Sequence, residues 1–281
     1  MSRLEKALER AKQARDKGEE NRKGIATSLP ESGGRAGLSK YLDPEYTQTR
    51  IENVDESALS SLGVLTTSIH PAIVEQYNLL RVKVVEALSR DGYNSLMVAS
   101  PKQGEGKTFT AVNLAISLTR EKTRTVLLID TDMRLPSVHS YFGLPQGPGL
   151  YEYLDRGMPL SELLVNPGIP RLTLLPAGKA EQYPSDFLNA PAMHSFVREV
   201  KERYPDRYII FDSPPLLAFS DGLYLSRFAD AVIMVVRCQE TKEEDLKRAL
   251  ELLHDHHIIG TVLNRVPREL SEWRDYKKYY Q

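Results

Sequence analysis

The chain has a single cysteine, Cys238, so no disulfide can form within it and the fold must rest on packing. That usage fits a reducing compartment. Long apolar runs are also missing. No stretch approaches the roughly 18 residues that span a bilayer, and the N-terminus is charged rather than signal-like. These absences predict a cytoplasmic protein without a transmembrane segment, whose membrane role, if it has one, passes through a partner. An excess of one charge is lacking too. Lys and Arg total 37 against 38 Asp and Glu, a net −1, so charge gives no reason to expect nucleic acid as a partner. What is present, 41% hydrophobic and 27% charged residues over 281 positions, suits a globular protein. That length holds one α/β domain of about 200 residues plus an extension.

The most informative stretch is Ala99-Ser100-Pro101-Lys102-Gln103-Gly104-Glu105-Gly106-Lys107-Thr108. It follows the apolar run Ser95 to Ala99 and precedes the helical run that starts at Phe109. A strand, a glycine-containing turn and a helix in that order form an anion site: backbone N–H groups freed at the first helical turn face the loop, and the helix dipole favours negative charge. Gly104 and Gly106 let the backbone curl around a phosphate chain, Lys107 reaches the terminal phosphates, and the Thr108 hydroxyl suits Mg²⁺. The usual pattern has a glycine where this chain has Pro101. The residues from Lys102 to Phe109 are the predicted ATP and Mg²⁺ cradle.

Three regions are expected: an N-terminal helix and flexible linker (1–66), a P-loop domain (67–268) and a tyrosine-rich tail (269–281). Ser2 and Glu5 form a capping-box pattern, and Leu4, Ala7, Leu8, Ala11 and Ala14 share one face of a predicted helix ending near Lys17. Up to Lys40 there are ten Lys/Arg and six Asp/Glu, a net +4. A basic helix on an arm either touches an anionic partner or is simply solvated. Gly24 to Leu62 reads as linker. Beyond it, Pro71–Arg90 predicts a helix. Apolar strand-like runs at Ser95–Ser100, Thr125–Asp130, Leu172–Ala177, Tyr208–Ser213, Ala231–Val236 and Ile258–Asn264 then alternate with helical runs near Lys107–Glu121, Met193–Tyr204, Asp221–Phe228 and Lys242–His256. Continuous apolar strands between helices predict a mostly parallel P-loop NTPase-type sheet with helices on both faces, and ligands at the carboxyl ends of the strands.

Two strands end in carboxylates. Val126-Leu127-Leu128-Ile129-Asp130-Thr131-Asp132 places two acids at i, i+2, which share one face if the backbone stays extended. Tyr208-Ile209-Ile210-Phe211-Asp212 ends the same way. Asp212 fits a Walker B role beside Mg²⁺, and Asp130 and Asp132 are candidates to orient the metal or accept a proton from an attacking hydroxyl. The competing reading is that such residues cap the turns that follow.

With the loop, Asp130-Thr131-Asp132-Met133-Arg134-Leu135-Pro136 and Asp212-Ser213-Pro214-Pro215 assembled, the chain resembles the bacterial tyrosine kinases. These are P-loop autokinases, unrelated to eukaryotic protein kinases, that regulate capsule and exopolysaccharide export. The likeness runs from about His70 to the C-terminus and includes Leu175-Pro176-Ala177-Gly178, Pro184-Ser185-Asp186-Phe187-Leu188 and Asp221. The opening Met1-Ser2-Arg3-Leu4-Glu5 resembles stand-alone members found beside exosortase-linked exopolysaccharide genes.

The resemblance implies ATP-dependent autophosphorylation of a C-terminal tyrosine cluster, in trans, within a ring of subunits. It also implies a membrane-bound polysaccharide chain-length regulator as partner. Tyr276, Tyr279 and Tyr280, three of the 14 tyrosines, lie in the last six residues and supply the cluster. An extended chain from Asn264 to Tyr276 reaches about 40 Å, enough for its own site or a neighbour's. In the family a Glu-x-x-Arg-x-x-Arg run joins the ring. Here it reads Glu75, Asn78, Arg81, so Asn78 replaces a bidentate carboxylate partner and weakens that expectation. Asn264 and Arg265 stand where related ATPases meet the adenine edge, a turn-forming asparagine being the alternative.

Lys107, Asp130, Asp132 and Asp212 are thus the expected catalytic set, with Thr108, Asp132 and Asp212 at the metal and Asp130 as proton acceptor. Two other functions stay open. A partitioning-type ATPase is suggested by Lys102, five residues before Lys107, although Gln103 replaces the glycine that should follow. A nucleotide-binding regulatory adaptor without kinase activity is the other.

Overall fold

The computed structural model describes residues 50–52, 54–66, 69–203 and 206–267, all within the compact unit Lys40–Gln281. The predicted helix over Ser2–Lys17 and the tyrosine cluster at 276, 279 and 280 lie outside the described residues.

In chain order the elements are β1 (Arg50–Ile51), α1 (Glu56–Ser61), α2 (Pro71–Arg90), β2 (Ser95–Ala99), α3 (Lys107–Leu118), β3 (Thr125–Asp130), α4 (Val138–Tyr141), α5 (Leu150–Arg156), α6 (Leu160–Leu163), β4 (Val165–Asn166), β5 (Leu172–Leu175), α7 (Pro184–Leu188), α8 (Pro191–Glu202), β6 (Arg207–Asp212), α9 (Asp221–Ser226), β7 (Ala231–Arg237), α10 (Glu243–Leu252) and β8 (Ile258–Asn264). The strands join in one sheet of order β1-β4-β5-β3-β6-β2-β7-β8. All pairings are parallel except β4 with β5. Parallel neighbours require crossovers, and the helices provide them.

Period-two alternation sends side chains of each central strand to two cores. Leu96, Val98, Val126, Leu128 and Ile210 pack on one face with Val84, Leu88, Val112 and Leu118 of α2 and α3. Met97, Ile129, Ile209, Phe211 and Met234 pack on the other with Leu188, Met193, Phe196 and Val200 of α7 and α8. Both faces are therefore covered, which is why these strands read as unbroken apolar runs.

The segment read as linker up to Leu62 departs from that expectation over its last part. Arg50–Ile51 extends the sheet beside Val165–Asn166, and α1 follows. Leu59, Val64 and Leu65 are buried in the α2/α3 core. Three apolar side chains among Ser and Asp residues suffice to dock the segment, a signal too sparse for periodicity to show. The short α4 to α7 were not read from the sequence either, because none completes enough turns to display a 3.6-residue repeat.

Candidate active site

The carboxyl ends of β2, β3, β6 and β8 meet the first turn of α3. Gly104 and Gly106 adopt left-handed backbone (φ +83° and +95°), open to glycine with little strain. At Gly106 there is a second reason. A Cβ there would stand 1.9 Å from the Asn264 Nδ2. That amide donates to the Glu105 carbonyl at 2.9 Å, while Asn264 Oδ1 accepts the Arg265 N–H at 2.8 Å. Asn264 therefore ties the end of β8 to the phosphate loop.

The Glu105 side chain is buried. It accepts the Lys102 N–H (3.0 Å) and the Thr241 hydroxyl (2.7 Å). Lys102 pairs through Nζ with Asp245 in the first turn of α10. Thr241 and Asp245 were not read as site residues. The acidic turn Glu243-Glu244-Asp245 was the available signal. Gln103 is exposed at the loop tip.

The loop's charged groups form a compact set. Lys107 Nζ reaches Asp132 Oδ2 at 3.1 Å. Burial alone would lower this ammonium, but Asp212, Asp132 and Asp130 outweigh it and hold its pKa raised. β3 stops at Asp130, so Asp130 and Asp132 do not share an extended face. Instead the chain turns around the Asp130 carboxylate. Its Oδ1 accepts the Asp132 N–H (3.1 Å), and its Oδ2 accepts those of Ser137 (2.9 Å) and Val138 (3.0 Å). Burial, then the Asp212 charge, push its pKa up to about 7 against those hydrogen bonds.

Asp212 is different. Both of its oxygens are buried and neither has a hydrogen-bond partner. Burial raises its pKa to about 6, opposed by the Lys107 charge and the nearby Thr108 hydroxyl. An orphaned carboxylate beside a lysine and a threonine is what a hydrated Mg²⁺ and a phosphate chain would satisfy. Among the described residues no three or more His, Cys, Asp or Glu side chains cluster as a cage. Mg²⁺ commonly takes only one or two carboxylates plus substrate phosphates.

On the rim, Arg134 grips Asp221 with two nitrogens (Nε at 2.6 Å, Nη2 at 3.4 Å) and lies 4.1 Å over the Phe219 ring. Asp221 is buried, so this pair joins the β3 loop to the start of α9. Beside the phosphate loop opens a cavity of about 520 Å³ lined by Ser61, Leu62, Gly106, Phe109, Ser140, Tyr141, Asn264 and Arg265. A similar one of about 560 Å³ lies between α5 and α8, around Tyr153 and Glu199, away from these charges.

The family profile described as an AAA domain matches residues 94–259, the stretch that carries the sheet and the phosphate loop. Tyrosine-protein kinase YwqD of Bacillus subtilis is 30% identical over 207 residues, covering 73% of this chain and 85% of that protein. The chain belongs to the bacterial tyrosine-protein kinases. Tyrosine-protein kinase ptk of Acinetobacter johnsonii is 28% identical over 220 residues, 78% of this chain but only 28% of its own length. The kinase domain of Escherichia coli tyrosine kinase ETK superposes with a TM-score of 0.68 at 25% identity, covering 84% of this chain and 87% of that one. MinD of Pyrococcus horikoshii, complexed with Mg-ADP, shares the fold at a TM-score of 0.53 and 22% identity, covering 64% of this chain and 72% of that one.

For this family member, the structure brings Lys107, Thr108, Asp130, Asp132, Asp212 and Asn264 to one place. Glu75 and Arg81, read as ring contacts, have partners within the chain. Glu75 accepts from Asn78 at 3.0 Å. Arg81 donates to the Ser117 carbonyl (3.2 Å) and faces Glu121 at 3.3 Å, bracing α2 against α3. No helix among the described residues is long and apolar enough to cross a membrane.

Proposed function

We propose that this chain is an ATP-dependent autokinase that phosphorylates Tyr276, Tyr279 and Tyr280 of a neighbouring copy. The observation that carries the reading is the unpartnered Asp212 carboxylate beside Lys107 and Thr108. The phosphate loop binds the donor's phosphates through its N–H groups and Lys107. Thr108, Asp212 and Asp132 are the residues that would hold Mg²⁺, which supplies charge neutralisation and a template for in-line transfer. Lys107, shared with Asp132, is already oriented toward the site.

The proton-accepting role read from the sequence for Asp130 meets a physical objection: its oxygens are taken by three backbone N–H groups and it is wholly buried. We assign Asp130 to shaping the turn that carries Asp132. A phenol of pKa about 10 needs little base help, because this chemistry is mainly positioning and electrostatics. A tethered tail offers the acceptor at high effective concentration.

The curated relatives bear tyrosine-kinase names, among them the putative tyrosine-protein kinase CapB of Staphylococcus aureus, 25% identical over 210 residues. One solved neighbour is a chimerical protein, CapA2B2, with a TM-score of 0.68 at 25% identity. On the family resemblance, we extend the reading to regulation of exopolysaccharide export through a membrane-bound chain-length regulator that recruits this chain as a cytoplasmic subunit. Ring assembly would need contacts other than Arg81, which is engaged internally. The test is incubation with Mg·ATP followed by mass spectrometry of the tail. Phosphate on the tyrosines supports the autokinase, whereas ATP hydrolysis without it supports the partitioning-type switch suggested by Lys102. Nucleotide binding with neither activity supports the adaptor.

A further inference from the structure

The run Leu175-Pro176-Ala177-Gly178, at the carboxyl end of β5, has no charged side chain, yet its backbone is fastened to the start of α5. The Leu150 N–H donates to the Pro176 carbonyl at 2.8 Å, and the Tyr151 N–H to that of Ala177 at 2.9 Å. At this junction lies the buried carboxylate of Glu152. Its Oε2 accepts the Gly149 N–H at 2.7 Å, and its Oε1 accepts the Lys179 N–H at 3.3 Å. The junction leaves no spare room. A Cβ on Gly178 (φ +87°) would stand 2.1 Å from Glu152 Oε2, and one on Gly149 would stand 2.0 Å from the Pro176 carbonyl oxygen.

The loop held in this way grips the turn that carries Asp132. The Glu181 N–H donates to the Met133 carbonyl at 2.8 Å, and the Gln182 carbonyl accepts Arg134 Nη1 at 2.5 Å. Met133 and Arg134 directly follow Asp132. The Asp132 Oδ1 accepts the Leu135 N–H at 3.2 Å, while its Oδ2 meets Lys107. Asp130 holds the two ends of this turn, at Asp132 and at Ser137 and Val138. The 176–182 loop holds its middle.

We propose that Glu152 is a positioning residue for the Mg²⁺ site, setting Asp132 through the 176–182 loop rather than acting on the metal itself. The proposal rests on the reading of Asp132 as a metal-holding residue. It adds residues that neither the phosphate-loop pattern nor the acids at strand ends include. A carboxylate suits the task because its two oxygens accept from two segments at once. A glutamine can turn its oxygen to only one of them and presents its NH₂, a donor, to the other N–H.

The test titrates ATP into the full chain by calorimetry, once with EDTA and once with Mg²⁺. Glu152→Gln is expected to bind metal-free ATP as the unaltered chain does and to lose about fivefold of the affinity that Mg²⁺ adds. That is less than the roughly 10–100-fold typical of a group touching a metal ligand directly. A merely structural role would move both affinities together. Tyr153→Phe, the next residue on α5, removes a hydrogen bond to Glu199 (2.9 Å) and should leave both affinities unchanged. Gln146→Ala deletes only the bond from Nε2 to the Gly178 carbonyl (3.1 Å) and should show a smaller loss of the same kind. It carries the test if Glu152→Gln does not fold. An undiminished Mg²⁺ gain in both loop variants, an equal loss with and without Mg²⁺, or the same loss in Tyr153→Phe overturns the proposal. If the unaltered chain gains no affinity from Mg²⁺, the metal-site reading itself is refuted and the proposal with it.

Discussion

Asp130 and Asp212 are register partners on adjacent parallel strands, yet one is held by three backbone N–H groups and the other by none. The same residue type at the same sheet level thus has two fates. Asp130 builds the turn; Asp212 is left with unspent hydrogen-bonding capacity next to Lys107.

Asp212→Asn should therefore stabilise the protein without ligand while abolishing kinase activity. The raised pKa of Asp212 (to about 6) means the native state binds its proton more tightly than the unfolded chain. The associated stability is full below about pH 4 and is lost as pH rises through 6. At pH 8 the buried charge, only partly offset by Lys107, costs about 1–3 kcal/mol, so the variant should melt several degrees higher. At pH 5 the gap should narrow. Magnesium with ATP should raise the melting temperature of the unaltered protein more at pH 8 than at pH 5. Thermal scans across that range check all three.

Asp130→Asn has two opposing effects on stability, because its own raised pKa (to about 7) makes the buried charge costly above that pH while its carboxyl oxygens hold three backbone N–H groups. An asparagine must turn its NH₂ toward at least one backbone N–H now satisfied by a carboxylate, costing about 1–3 kcal/mol. Below about pH 7, where there is no charge penalty to relieve, the melting temperature should fall by roughly 2–4 °C per kcal/mol, and kinase activity should fall with it because Asp132 is displaced. A variant as stable as the parent that lost only activity would return Asp130 to the role of proton acceptor.

Gly106→Ala should sharply weaken ATP binding. The added methyl meets the Asn264 amide at 1.9 Å and forces left-handed backbone on alanine. Adding Asn264→Ala removes the clash but not the backbone strain. The double variant should recover part of the lost stability, measured as a coupling in a double-mutant cycle. Strict additivity would show that the two residues act independently.

Arg134→Lys should destabilise by about 1–3 kcal/mol despite keeping the charge. Lysine loses the two-pronged contact with buried Asp221 and the stacking on Phe219. Denaturant melts test this.

The central sheet, the phosphate loop and the Asp132–Lys107–Asp212 grouping were legible because each has a local signature: unbroken apolar runs, a glycine pattern, acids at strand ends. Helix α2 was read to the residue. The individual jobs of the acids were not legible, since they depend on where the backbone of residues 131–138 turns. The α1 segment was hidden because Leu59, Val64 and Leu65 dock without periodicity. Glu105 looked like a phosphate-loop residue, and only its partners Thr241 and Lys102, the first 136 positions away, show that it faces inward.

The measurement that bears most directly on the account is mass spectrometry of residues 269–281 after incubation with Mg·ATP, comparing the unaltered chain with Lys107→Met. Phosphate is expected on Tyr276, Tyr279 or Tyr280 in the first and on none of them in the second. Addition of the Lys107→Met chain to the active one should place phosphate on the inactive chain's tail. A tail that stays unmodified while ATP is consumed, or equal labelling in both proteins, would contradict it.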